Sequence, residues 1–185
     1  MLPFDEFAAD LLCGSLGPHA VPQRGWRSRF LLTPAFSMEC CIDITCAPLE
    51  RRLRLTFGFA QESQLWTYYN QLTERPITCS PLVGIRIIHA AQDIDLPPLK
   101  SLAPLTPTVL RGATEQKSVV CDGIGIIGWF QETDEIERLP SWNFFGSHGA
   151  PRDAAMLAID LASRSFVDPV PQDYLTKLRK QCGMP

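Results

Sequence analysis

Two neighbouring runs of alternating apolar residues constrain the fold of this chain more than any other feature of its sequence. The first run places Met38, Cys40, Ile42 and Ile44 on one face of an extended segment. The second run, RRLRLTFGF, does the same for Leu53, Leu55, Phe57 and Phe59. A period of two residues is typical of a strand with one buried face, and the link APLE is short enough for a hairpin. The two runs therefore predict an antiparallel pair of strands with a shared apolar face.

The remaining positions of these two runs carry opposite charges. Glu39 and Asp43 alternate with the apolar residues of the first run. Arg52 and Arg54 alternate with those of the second run. Oppositely charged neighbours on adjacent strands stabilise a sheet by about 0.2–1 kcal/mol per pair. We therefore expect the two acids to lie opposite the two arginines on the outer face of the hairpin.

Apolar residues at helical intervals predict four helices. The first covers residues 4–12 and the second lies within 61–72, the segment QESQLWTYYNQL. The third covers 151–166 and has a proline at its first position, where the missing N–H costs nothing. The last is expected to start at Pro171 and to end at Gly183.

Three further stretches, RSRFLLT, VGIRIIH and KSVVCDGIGIIGWF, predict strands. In the last of them, Asp122 and Gly123 either form a tight hairpin turn or lie inside one continuous strand. Strands followed by helices, without strict alternation of the two, predict an α+β fold, with an antiparallel sheet packed against a few helices. A chain of 185 residues is expected to form a single domain over 1–185, burying about 70% of the surface that its unfolded form exposes.

A proline-rich connection at about 96–110, which reads LPPLKSLAPLTPT at its centre, interrupts the predicted strands. Its prolines lack the N–H that a helix interior or a central strand requires, so we expect neither element there. A long segment without regular structure is uncommon in a small fold. The segment is therefore either a functional surface or an arm wrapped over the fold.

Charge and hydropathy exclude several kinds of partner. The net charge is −3 and the cations are scattered, so no basic stripe is available for a phosphate backbone and nucleic acid is not expected as a partner. No run of about 18 apolar residues occurs, so no membrane span is expected. Asp5 and Glu6 stand where a secretory signal would carry cations. We therefore expect a cytoplasmic protein.

Cysteine usage favours packing over chemistry. The seven cysteines, at positions 13, 40, 41, 46, 79, 121 and 182, form an odd set without the paired spacing of zinc ligands. We expect reduced thiols and no metal, cofactor or catalytic residue. One alternative stays open, a thiol site in which Cys121, beside Asp122, meets His89 or His148.

Aromatic and acidic clusters are the candidate binding residues, because exposed aromatics with a charged rim are typical of protein interfaces. The aromatic clusters and the loop beside the second of them contribute Trp66, Tyr69, Trp142, Phe144, Phe145 and His148. The acidic candidates are Asp93, Asp95, Glu132, Asp134 and Glu135. These acids form either a surface for a basic partner or a solvated turn. The sequence therefore predicts binding to another protein.

The C-terminal part adds a resemblance. Residues 116–166 combine a strand carrying CDG, a charged strand, a tryptophan-containing loop and a helix rich in Ala and Leu. This arrangement resembles small uncharacterised bacterial proteins of the toxin-immunity type. The resemblance implies a non-enzymatic protein that binds and neutralises a toxin, and it identifies no functional residues. The alternatives are a small hydrolase or transferase with a Cys/His site and a structural subunit of a secretion or phage-like assembly.

Overall fold

A computed structural model describes residues 2–14, 21–35, 37–73, 85–112, 123–132, 135–139, 141–144 and 149–185. The strands are β1 (Trp26–Pro34), β2 (Cys40–Ala47), β3 (Arg52–Gln61), β4 (Arg86–Asp95), β5 (Ile124–Gln131), β6 (Ile136–Arg138) and β7 (Trp142–Asn143). The α-helices are α1 (Phe4–Cys13), α2 (Leu65–Thr73), α3 (Pro107–Arg111), α4 (Ala150–Ser165) and α5 (Pro169–Gln181). Two 3₁₀ helices cover Pro48–Glu50 and Leu99–Leu105.

The strands that the structure describes form one antiparallel sheet in the order β4-β3-β2-β1-β5-β6, and β7 also pairs with β5. β2 and β3 pair as the predicted hairpin, in which Cys40 lies opposite Phe59 and Ile44 opposite Leu55. The sheet and the five α-helices of the described residues confirm the α+β class with an antiparallel sheet.

Helices cover the sheet on both faces. On one face, α4, α5 and the proline-rich segment pack against the large core that contains Phe30, Ile42, Ile44, Leu55 and Phe57. On the other face, α1 packs through Ala8 and Leu12 against Leu31, Cys41 and Trp129. The sheet is therefore the middle layer of three, and the polar side chains that lie beneath a helix, such as those of Arg29 and Asp43, meet a second layer instead of water.

The predicted ion pairs across the hairpin are wrong. The register places Thr45 opposite Arg54 and Ala47 opposite Arg52, because a 3₁₀ helix and Arg51, in the left-handed conformation, make the connection. Arg52 and Arg54 instead face Asp93 on β4. Asp43 on β2 and Glu39, directly before it, lie on the face that α1 and α2 cover.

The proline-rich segment contains helices, contrary to the prediction. Its prolines occupy positions that need no N–H donor, such as Pro107 at the first position of α3, and the 3₁₀ helix around Pro104 is only seven residues long. Leu102, Leu105 and Leu110 are buried in the large core. Of the two alternatives, the segment is the arm wrapped over the fold.

Two boundaries also differ from prediction. β4 continues through Asp93 to Asp95, so these acids lie on a strand and not in a loop. The last helix starts at Pro169 because the Asp168 side chain accepts a hydrogen bond from the Val170 N–H (3.0 Å), which caps the helix two residues before the expected start. Ile124–Gln131 is one strand, whereas Asp122 lies outside the described residues. No helix among the described residues is long and apolar enough to cross a membrane.

Candidate protein-binding surface

A buried cluster of charges holds α1 on the sheet. Asp43 on β2 lies opposite Arg29 on β1 and accepts a hydrogen bond from its Nε at 2.7 Å. Arg27 binds the same carboxylate, with its Nε 2.9 Å and 3.0 Å from the two oxygens. The Arg29 side chain is fully buried and that of Asp43 is 4% exposed. One carboxylate therefore binds two guanidinium groups beneath the helix.

Arg29 also binds the end of α1. Its Nη1 donates to the carbonyl oxygen of Gly14 at 2.7 Å, and its Nη2 donates to that of Cys13 at 3.3 Å. The last carbonyl groups of a helix have no partner within the helix and carry the negative end of its dipole. A guanidinium at this position therefore fixes where α1 ends and ties it to β1.

Glu39 binds the start of α2 in the same way that Arg29 binds the end of α1. Its carboxylate, buried with the residue 4% exposed, accepts hydrogen bonds from the backbone N–H groups of Leu65 (2.7 Å) and Trp66 (3.1 Å). A carboxylate at a helix N-terminus satisfies orphan donors and favours the positive end of the dipole. The acid that sequence analysis placed against an arginine thus fixes the position of α2.

The two helices held in this way share an aromatic surface, formed by Leu2, Phe4, Phe7, Trp66, Tyr68 and Tyr69. The ring centroids of Phe4 and Trp66 are 4.8 Å apart in an edge-to-face arrangement, and those of Phe4 and Tyr69 are 5.5 Å apart. The rings of Phe7 and Tyr69 lie 5.3 Å apart. The Tyr69 hydroxyl donates to the Leu2 carbonyl oxygen at 2.9 Å. The rings therefore form one connected layer.

This aromatic surface is open to solvent. Trp66 is 50% exposed and Leu2 is 48% exposed, while Phe4, Phe7 and Tyr69 are half-buried. The first turn of α1 also carries two acids, of which Asp5 is buried and forms an ion pair with the exposed side chain of Arg138 on β6. An exposed apolar patch with charged neighbours is the ordinary composition of a protein contact site.

Of the predicted aromatic candidates, the structure brings only some together. Trp66 and Tyr69 lie in the aromatic surface, with centroids 6.1 Å apart. Trp142 (4% exposed) and Phe144 (0%) are core residues, which corrects their assignment as exposed contacts. Phe144 is covered by the guanidinium of Arg152, 5.3 Å from its ring centroid. Phe145 and His148 lie outside the described residues.

The acidic candidates do not form one surface with the aromatic residues. Asp93 lies 3.4 Å from Arg52 and 3.8 Å from Arg54. Glu132 lies 3.2 Å from Arg111, at the opposite end of the sheet. Both Asp95 and Glu135 are exposed, whereas Asp134 lies outside the described residues. These acids therefore belong to two local groups of surface charges.

Phe4 and Phe7 were predicted to lie on the apolar stripe of a helix and not in the aromatic surface. A stripe at helical spacing is identical for a helix that packs wholly on a core and for one that leaves part of the stripe exposed. The missing information was that the helix packs beside Trp66 and Tyr69, some sixty residues further along the chain. No local signal identifies that contact.

Three buried thiols, those of Cys40, Cys46 and Cys182, are poor nucleophiles. Burial raises the pKa of Cys46 to about 11 and that of Cys182 to about 12, and it raises the pKa of Cys40 further still. These thiols are therefore protonated at neutral pH. Cys121 lies outside the described residues. Among the described residues, no three His, Cys, Asp or Glu side chains are grouped so that they could hold a metal ion.

A cavity of about 520 Å³ lies between the end of β3 and α5. Its walls include Phe59, Tyr174 and Leu178, and its rim includes Glu62 and Lys177. None of the described residues that line it is a cysteine or a histidine. Within the part of the chain that the structure describes, the cavity therefore does not assemble the Cys/His site of the enzyme alternative.

The role of Glu39 can be tested directly. We expect Glu39→Gln to lower the free energy of unfolding by about 1–2 kcal/mol, because a neutral amide has one acceptor oxygen for the two N–H groups and no charge for the helix dipole. Chemical denaturation measures this loss. Glu50→Gln, at an exposed carboxylate, is the matched control, and an equal effect of both substitutions would contradict the capping role.

The fold and this surface define an α+β protein whose two small helices present aromatic side chains to solvent. Comparison of the chain with protein-family models, with curated proteins and with solved structures found no match. Any conclusion about function therefore has to be drawn from the residues of this chain, above all those of the aromatic surface.

Proposed function

We propose that this chain is a protein-binding module that acts by contact through its aromatic surface. The observation that carries the proposal is the connected layer of rings on α1 and α2 with Trp66 half exposed at its outside. Tryptophan and tyrosine are the residues that most often contribute the large energies of protein interfaces, because they bury much apolar area while losing little side-chain entropy.

The way the surface is built supports this function. Buried charges fix both helices, through Arg29 for α1 and Glu39 for α2. The exposed rings therefore stand on a rigid base, and little ordering is required when a partner binds. A surface needed only for packing would gain nothing from leaving Trp66 in water.

The most concrete form of the proposal is an immunity-type protein that binds and neutralises a bacterial toxin in the cytoplasm. The resemblance of residues 116–166 motivates this form. Its test is co-purification with the product of the adjacent gene, followed by rescue of cells that express that product. Failure to bind under native conditions would contradict the immunity form, while binding to a different protein would leave the contact function in place.

Trp66→Ala should weaken binding to the partner about thirtyfold or more, since removal of a central interface tryptophan costs about 2 kcal/mol or more. Isothermal titration calorimetry measures the dissociation constant. Leu49→Ala is the matched control, because Leu49 is 61% exposed but lies in the connection between β2 and β3. Equal affinities of the Trp66→Ala variant and the unmodified chain would contradict the use of the aromatic surface.

A further inference from the structure

The outer edge of the sheet at β4 is a second surface, separate from the aromatic one. β4 is ten residues long and pairs with β3 on one side only, and no described residue pairs with its other side. It contains no proline. A long edge strand that proline does not interrupt presents a row of unpaired backbone N–H and C=O groups to another strand.

The backbone of β4 fixes which residues face this edge. The N–H of Leu96, directly after the strand, donates to the Arg51 carbonyl oxygen at 3.0 Å, so it points towards β3. Because backbone groups alternate in direction along a strand, even-numbered residues face β3 and odd-numbered residues face outward. The outward N–H and C=O groups belong to Ile87, His89, Ala91, Asp93 and Asp95.

A hollow of about 260 Å³ lies beside the same edge. It is lined by Ile88 and Ala90 of β4 and by Val170 and Pro171 of α5, together with polar residues that include His89. Val170 itself is 45% exposed, and Val167, which precedes the lining residue Asp168 in the chain, is 84% exposed. The edge therefore offers apolar area on the α5 side in addition to backbone groups.

The placement of His89 and Asp93, two residues on either side of Ala91, favours one occupant, a second copy of this chain. A twofold axis perpendicular to the sheet keeps each face of both copies on its own side, so odd residues lie opposite odd residues and even opposite even. When the axis passes through Ala91, Ile87 lies opposite Asp95 and His89 opposite Asp93 of the other copy. This register uses all five outward-facing residues.

We propose that two copies of this chain associate through antiparallel pairing of their β4 strands, centred on Ala91. This register contains two equivalent pairs in which His89 of one copy lies opposite Asp93 of the other. Each pair sets a hydrogen-bonding imidazole beside a carboxylate. On the α5 face, Ile88 lies opposite Ile94 of the second copy. Ile94 of the second copy therefore lies next to Ile88, which lines the hollow, and the two isoleucine side chains can pack against each other.

The test is sedimentation equilibrium of the full chain over a range of concentrations, with Ala91→Pro as the variant. We expect a dimer whose dissociation constant rises about tenfold or more in the variant, because proline removes an outward N–H from each copy and leaves the bonds to β3 in place. Ala91→Thr keeps the N–H and is the matched control, for which the dissociation constant should be unchanged.

A second variant tests the register. His89→Asp places like charges opposite each other at two positions and should weaken the dimer, whereas His89→Lys should preserve it. Thermal unfolding of each variant checks that the fold is retained. A chain that stays monomeric at all concentrations would overturn the proposal, as would a dimer that Ala91→Pro and His89→Asp leave unchanged.

Discussion

Asp43→Leu is expected to lower the free energy of unfolding by about 3–5 kcal/mol, the cost of breaking a buried ion pair by removal of one partner. The Asp43 carboxylate lies 2.6 Å from Nη2 of Arg29 and 2.8 Å from Nη2 of Arg27. Without it, Arg29 keeps its charge in a site with no exposure to water, where its nearest other carboxylate, that of Asp10, is 3.9 Å away. Urea denaturation of the variant and the unmodified chain measures the difference.

Two controls separate this effect from a general loss of packing. Asp173→Leu removes an exposed carboxylate that pairs with Lys177 and should change stability by less than about 1 kcal/mol. Combining Arg29→Met with Asp43→Leu removes both buried charges, so the double variant should be more stable than Asp43→Leu alone. A double variant as unstable as the sum of the two single variants would show that the charges do not depend on each other.

Among the described glycines, Gly58 is the one at which an added methyl group should lower stability most. Gly58 lies on β3 beneath α1, and an added Cβ would collide with the backbone carbonyl of Leu12. Because the colliding atom belongs to the helix backbone, α1 has to move as a whole. We expect a loss of about 1–3 kcal/mol in the free energy of unfolding, together with loosening of α1.

Hydrogen exchange of the backbone amides in residues 7–13 measures that loosening, and their protection should fall in the Gly58→Ala variant. Gly112→Ala is the control, since a Cβ at that position meets its nearest neighbour at 3.4 Å, an ordinary contact. The Gly58→Ala variant should also bind the proposed partner less tightly, because Phe4 and Phe7 move with α1. Unchanged exchange in α1 would contradict this account of the close approach.

The alternation of apolar residues was sufficient to predict the β2–β3 hairpin and its apolar face, because a period of two leaves one way to bury both runs together. The register was not predictable from the alternation alone. It depends on the connection, where Pro48–Glu50 forms a 3₁₀ helix and Arg51 has a positive φ of 52°. The predicted partners of Arg52 and Arg54 were wrong for this reason.

The sequence by itself determined the α+β class and the central parts of four helices, because apolar periodicity is a local property of the chain. The tertiary structure alone decided what faces each polar side of the sheet. A polar residue at alternate positions has the same pattern under water and under a helix, so Glu39 and Asp43 read as surface residues. The aromatic surface also depends on tertiary packing, because two helices far apart in the chain create it and leave Trp66 exposed. Trp142, in contrast, is buried in the large core on the other face of the sheet.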